Sequence, residues 1–83
     1  MPKAGHHQVV CAEIVRLLFA ESKRQKLSNY AVAQRSGVSE SMISLVERGL
    51  RNPSMELVLK LADGIGANLP KIVTKAQKAV LPK

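Results

Sequence analysis

The chain has 83 residues, and its 13 Lys and Arg against six Asp and Glu give a net charge of +7 with neutral histidines. A domain of this length buries only about 60–65% of its unfolded surface, which argues against a deep catalytic cleft or a second domain. The charge is compatible with an anionic partner, and the single cysteine excludes an intramolecular disulfide and a multi-cysteine metal site.

The first eight residues are predicted to form a flexible tail. Pro2, Gly5 and a pair of adjacent histidines favour a solvated segment over a metal site, because no further ligand follows at suitable spacing. We expect one domain over residues 9–81. The apolar run Val9–Ala20 is too short and too charged to cross a bilayer and lacks a signal-peptide pattern, so the protein is expected to be cytoplasmic, without a membrane partner.

Helix one is predicted from Val9 to Gln25. Its apolar residues form one stripe at helical spacing: Val10, Ile14, Leu17 and Leu18. Cys11, Val15 and Phe19 extend the stripe onto a second face, so something beyond a minimal core should pack there. Cys11 is interpreted as a small core residue.

Four further helices follow, and no segment has the pattern of a strand. Serines that can cap helices precede helices two, three and four, at Ser28, Ser39 and Ser54. Glycines follow the same three helices, at Gly37, Gly49 and Gly66. Helix two begins at Asn29, Arg51-Asn52-Pro53 forms a turn, and helix five begins near Asn68. On helix five, Leu69, Ile72, Val73, Ala76 and Val80 share an apolar face opposite Lys71, Lys75 and Lys78.

The segment from about 28 to 48 has the pattern of a helix-turn-helix. Two short helices that cross at a steep angle need a small residue at the contact and a tight turn between them. Ala33 and Gly37 meet these needs. Apolar positions on both helices join them to a common core, at Val32, Val38, Ile43 and Val46.

Several blocks of this region resemble the lambda-repressor-like (Cro/repressor, XRE) family: Ser36-Gly37-Val38-Ser39, Glu47-Arg48-Gly49 and Pro53-Ser54. The resemblance covers about forty residues. It implies an all-α, five-helix domain whose third helix, at about 39–48, enters the major groove of double-stranded DNA. It further implies a homodimeric regulator of transcription, such as a repressor, that needs no cofactor.

The family's DNA contacts can be transferred where positions match. The resemblance implies a phosphate contact from Asn29, the first residue of helix two. It implies base contacts from the start and outward face of helix three, at Ser39, Glu40, Ser41, Ser44 and Leu45. It implies contacts to the DNA backbone from the segment that follows, at Arg48, Arg51 and Asn52.

Glu40 has two interpretations of equal weight. An ionised carboxylate accepts hydrogen bonds only, so Glu40 suits the N4 amino group of cytosine. Alternatively, it only stabilises the positive end of helix three. The first turn of that helix contains no Arg, Gln or Asn. Selectivity is therefore expected to depend partly on water and DNA shape.

The sequence departs from the family at two positions. The family often pairs an Arg late in helix one with the glutamate that is Glu47 here, whereas this chain has Ser22 at that position. Arg24, Arg48 or Ser22 itself are the candidate partners of Glu47. Glu21 stands where the family prefers an apolar residue, so either helix one ends early or Glu21 pairs with a cation.

Two other functions on the same fold stay open. An antitoxin would bind a toxin protein as well as DNA, using helices one and five. A controller protein of a restriction–modification system would be equally short. Catalysis is not expected, because no acid–base pair or nucleophile lies in a recognisable arrangement. The lysines of helix five are interpreted as a solvated face, and its apolar face is expected to pack on helix one or on a second subunit.

Overall fold

The computed structural model describes residues 5–80, apart from the side chain of His6, and these residues form five α-helices and no strand. The helices are α1 (His6–Arg24), α2 (Asn29–Ser36), α3 (Glu40–Glu47), α4 (Met55–Ile65) and α5 (Leu69–Val80). The predicted all-α, five-helix architecture is confirmed. Residues 1–4 of the predicted tail and residue 81 of the predicted domain lie outside the described residues.

Helix α1 begins at His6, three residues before the predicted start at Val9. Residues 6–8 therefore belong to a helix and not to the tail. The reason is the geometry around Gly5, whose backbone N–H donates to Oε1 of Gln8 at 3.1 Å. The carbonyl of Gly5 accepts from the N–H of Val9 at 3.1 Å. The first bond is half of a capping box and the second is the first hydrogen bond of the helix, so the helix begins before its apolar stripe.

The predicted helix caps are confirmed. Oγ of Ser28, Ser39 and Ser54 each accepts a hydrogen bond, at 3.1 Å, from the backbone N–H three residues further along. Gly37 and Gly66 adopt the left-handed conformation with φ of 75° and 76° at the ends of α2 and α4. The turn after α1 contains a non-glycine residue in this conformation, Lys26, with φ of 61°.

The core is formed by the central parts of four helices. Leu18 of α1, Val32 of α2, Ile43 of α3 and Leu61 of α4 are fully buried. Helices α2 and α4 pack closely because α4 contains a buried glycine, Gly64, facing the last residue of α2. This packing fixes the orientation of the helix-turn-helix on the rest of the domain.

Helix α5 packs mainly on α1. Ala76 is fully buried, Leu69 and Ile72 contact the core, and all three lysines of α5 are exposed. The apolar face of α5 was expected to pack on helix one or on a second subunit, and packing on helix one is confirmed. The exposed lysines agree with the predicted solvated face.

The second apolar face of α1 is covered only in part. Phe19 is buried and Val15 is half-buried, but Cys11 is exposed. The interpretation of Cys11 as a core residue was wrong. The reason is that α4 and α5 pack on the other side of α1, so that only the C-terminal half of this second face reaches the core.

Glu21 pairs with a cation, Arg24, and α1 continues past Glu21 to Arg24. Its carboxylate accepts from Nε of Arg24 at 2.9 Å and from Nε2 of Gln25 at 2.8 Å. These hydrogen bonds lower the pKa of Glu21 to about 2. Of the two alternatives for this residue, pairing with a cation is correct.

Candidate nucleic-acid interface

Helix α3 has a buried apolar side and an outward polar side. Ile43 and Val46 are buried in the core, and Met42 packs against it. The residues predicted to read bases lie away from this side: Ser39, Glu40 and Ser41 are exposed, and Ser44 and Leu45 are half-buried. Positions 41, 44, 45 and 48 follow one another at helical spacing and share a face. The structure thus presents these side chains to solvent along one side of the helix.

The start of α3 is formed by its N-cap, Ser39, and by Glu40 in its first turn. Oγ of Ser39 accepts from the N–H of Met42, so its hydroxyl oxygen is already used as a cap. Glu40 lies in the first turn, beside the positive end of the helix dipole. This position fits both interpretations of Glu40, since an exposed carboxylate here stabilises the helix and also stands on the outward surface.

Asn29 begins α2, as predicted, but its side chain contacts another part of the helix-turn-helix. Its amide Nδ2 donates to Oε1 of Glu47 at 3.1 Å, and the residue is half-buried. An amide nitrogen carries two hydrogens, so this bond uses one of its two donors. The bond ties the start of α2 to the end of α3.

Glu47 has partners other than those expected. Nζ of Lys23 lies 3.0 Å from Oε2 of Glu47, and Asn29 donates to the other carboxylate oxygen. These hydrogen bonds, from Asn29 first and then from Lys23, lower the pKa of Glu47. The carboxylate therefore connects the end of α1, the start of α2 and the end of α3.

Each of the three partners expected for Glu47 is engaged elsewhere. Ser22 is buried and donates to the carbonyl of Phe19 at 2.8 Å. Arg24 pairs with Glu21, and Nε of Arg48 donates to the carbonyl of Ser44 at 3.4 Å. All three expectations were wrong, because the rotation of α1 about its axis brings Lys23 toward α3.

The segment between α3 and α4 exposes the three residues expected to contact the DNA backbone, Arg48, Arg51 and Asn52. Gly49, with φ of 74°, reverses the chain, and Arg51 and Asn52 that follow are exposed. Both line a shallow cleft with Met42 of α3 and Ser54 at the start of α4. The structure therefore brings the predicted loop contacts close to the first turn of α3.

Sequence reasoning missed Lys60 in this cleft and the exposed Tyr30 on α2. Lys60 lines the same cleft, and its Nζ lies 3.4 Å from Oε2 of Glu56. Tyr30 lies in the first turn of α2 and is 60% exposed. In the sequence, the only sign of a role for Tyr30 was that it is a large aromatic residue next to Asn29. The spacing of four residues between Glu56 and Lys60 predicts an ion pair within α4. It does not indicate that Lys60 lies near α3.

Between residues 5 and 80, no group of three or more His, Cys, Asp or Glu side chains is placed to hold a metal ion. None of the helices in this range is long and apolar enough to span a membrane.

Comparison with known proteins identifies the family. A family model described as helix-turn-helix matches residues 21–72, which include all of α2, α3 and α4. The chain belongs to the lambda-repressor-like (XRE) helix-turn-helix family of DNA-binding transcriptional regulators. It is similar to the uncharacterized HTH-type transcriptional regulator y4dJ of Sinorhizobium fredii, with 39% identity over 57 residues, or 68% of this chain and 74% of the relative. No solved structure matches the chain significantly.

Proposed function

We propose that this protein is a cytoplasmic repressor that binds a specific double-stranded DNA operator as a homodimer, with α3 in the major groove. The observation that supports this most strongly is the outward polar side of α3, from Ser39 to Leu45. An α-helix with its side chains is about 10–12 Å across. The major groove, about 12 Å wide, admits an α-helix.

Base reading is proposed for the side chains on that face. Hydroxyls of Ser41 and Ser44 both donate and accept, so they tolerate several bases and suit water-mediated contacts. The methyl groups of Leu45 suit the methyl group of thymine, and Glu40 suits the amino group of cytosine. With no arginine among residues 40–47, strong discrimination for guanine from α3 itself is not expected.

Contacts to the DNA backbone are proposed for the residues around this face. Arg48, Arg51 and Asn52 follow α3, and Lys60 lines the cleft beside the last two. On the other side, Asn29 has one amide hydrogen beyond the bond to Glu47, and the first N–H groups of α2 add positive potential. Because Glu47 holds the amide in one orientation, the proposed phosphate contact is arranged before DNA arrives.

A dimer is proposed because regulators of this fold read two half-sites about one helical turn apart, roughly 34–36 Å. The longest dimension of the described chain is 38 Å. Two copies on one face of the duplex at that spacing would therefore lie within contact distance. A bound dimer excludes other proteins from the same segment of DNA, which is the basis for proposing repression.

Selection of bound sites from a pool of random DNA tests the proposal. We expect an enriched inverted repeat with half-site centres about 10–10.5 bp apart. Ser41→Glu, which adds a negative charge to the outward face of α3, should abolish enrichment. Gln77→Glu adds the same charge to an exposed position of α5 and should leave the motif unchanged. Failure of the wild-type protein to enrich any motif would contradict the proposal.

One observation favours the antitoxin as a second candidate function. Cys11 and Ala12 on α1 are apolar and exposed, as expected of a surface that binds another protein. Co-purification of the chain with a small protein encoded next to it, together with neutralisation of that protein's toxicity, would support this function over a plain repressor.

A further inference from the structure

We propose that a groove between α1 and the α3–α4 segment binds an acidic amphipathic helix of a partner protein. The groove has a volume of about 830 Å³. On one side it is lined by a strip of α1, including Cys11, Ala12, Val15 and Ala20, and on the other side by the chain from Val46 to Pro53.

The dimensions of the groove suit a helix. Its lining residues on α1 recur with a spacing of four from position 7 to position 23, so they follow one side of the helix. Sixteen residues correspond to a strip about 24 Å long. Small side chains at Cys11, Ala12 and Ala20 allow the backbone of a second helix to approach closely, and helices pack with axes about 8–10 Å apart.

The groove contains apolar side chains that residues 5–80 leave exposed or half-buried. Cys11, Ala12 and Ala20 are exposed and Val15 is half-buried, whereas α5 covers the other side of α1. An amphipathic helix that lays its apolar side into such a groove would remove these side chains from water.

The charges around the groove indicate which partner fits. Three cationic side chains line the groove, Arg16, Lys23 and Arg51, together with one acidic residue, Glu47. Arg16 pairs with Glu13 and Lys23 pairs with Glu47, so within the described residues Arg51 is the lining cation without an ion pair. Two copies placed groove to groove would bring the same three cationic side chains together, which disfavours a second copy as the occupant of this groove. A helix with glutamates or aspartates beside its apolar stripe is attracted instead.

A helix bound in the groove would also interfere with DNA binding, an inference that rests on the proposed function. Arg51 and Asn52 line the groove and are also proposed to contact the DNA backbone. The acidic side chains of the partner helix would compete with phosphates for Arg51. The partner would therefore release the protein from its operator.

A displayed library of 18-residue amphipathic helices tests the groove without DNA. The apolar stripe is kept constant, and the flanking positions vary among Glu, Gln and Lys. We expect enrichment of Glu, and at least tenfold weaker binding of the selected peptide to the full-length Ala12→Glu and Ala20→Glu variants. Ala79→Glu adds the same charge to an exposed position of α5 outside the groove and should leave affinity within twofold. Circular dichroism checks that each variant folds. Absence of binders, enrichment of Lys, or equal loss in Ala79→Glu would overturn the proposal.

Two further measurements test whether a second copy of this chain occupies the groove and whether the partner helix competes with DNA. Cys11 is the single cysteine and lines the groove, so a second copy seated there would form a Cys11–Cys11 disulfide rapidly under mild oxidation. We expect slow cross-linking, and a rapid disulfide that blocks peptide binding would overturn the choice of partner.

On a selected DNA site, the peptide should displace labelled DNA, and a stable ternary complex would refute competition at Arg51. A chain that binds the peptide but selects no DNA motif would refute the proposed function and leave the groove proposal standing.

Discussion

Gly64, the second-last residue of α4, is the position where the structure predicts the largest effect of a single added methyl group. A Cβ at this position would lie 2.8 Å from both Cβ and the backbone N of Ser36, and 2.9 Å from its Cα. Carbon atoms in contact are normally about 3.5–4.0 Å apart, so α2 and α4 would have to separate by roughly 0.7–1.2 Å. Backbone atoms cannot rotate away as a flexible side chain can.

The expected change in the free energy of unfolding of Gly64→Ala combines two opposing effects. Replacing glycine with alanine inside a helix stabilises it by about 1 kcal/mol. Overpacking of a core costs about 1–3 kcal/mol, and the backbone obstruction here places Gly64→Ala at the upper end of that range. We therefore expect a net loss of about 1–2 kcal/mol, which lowers the Tm of a domain of this size by roughly 5–15 °C.

Urea and thermal denaturation of Gly64→Ala measure this loss. Asp63→Ala is the matched control, because it places alanine at the adjacent exposed position of the same helix and should stay within about 0.5 kcal/mol of wild type. If Gly64→Ala proves as stable as wild type or more stable, the close approach of α2 to α4 is wrong, and so is the helix-turn-helix orientation that depends on it.

Four further predictions concern the site and its support. Arg51→Ala should weaken binding to all DNA sequences and reduce the salt dependence of the Kd, whereas a change in base preference would contradict a backbone contact. Glu40→Gln should alter the preferred base at one position in a randomised site library more than it alters affinity; a uniform loss would favour the helix-dipole interpretation. Gly37→Val should destabilise the fold strongly, because a β-branched residue is disfavoured at φ of 75°, and native thermal stability would refute this turn. Glu47 has a pKa lowered by its partners, so its stabilisation is present above the normal value of 4.5 and is lost as pH falls below it. Comparing denaturation at pH 7 and pH 3, Glu47→Gln should lose less stability than wild type, and equal losses would contradict the network.

Local chemistry made the helix boundaries near the site predictable. A serine that caps a helix and a glycine that ends it act within a few residues, so Ser28, Ser39 and Gly37 could be assigned from sequence alone. The periodicity of apolar residues also predicted that Ile43 and Val46 face inward, which leaves the polar positions of α3 outside.

The features that could not be predicted depend on how helices are rotated and spaced. A rotation of α1 by one residue decides whether Lys23 or its neighbours reach Glu47, and periodicity does not specify rotation so finely. The exposure of Cys11 follows from the side on which α5 packs. The close approach at Gly64 is a tertiary contact with Ser36, 28 positions away in the chain, and an isolated glycine in a helix pattern does not reveal its partner.

Site-specific photo-cross-linking to a selected DNA duplex shows whether α3 is the element that lies against the bases. A photoreactive residue in place of Ser41, on the outward side of α3, should cross-link to bases, whereas the same residue in place of Lys75 on α5 should not. Strong cross-linking from position 75 with none from position 41 would show that another surface binds DNA and would contradict the account.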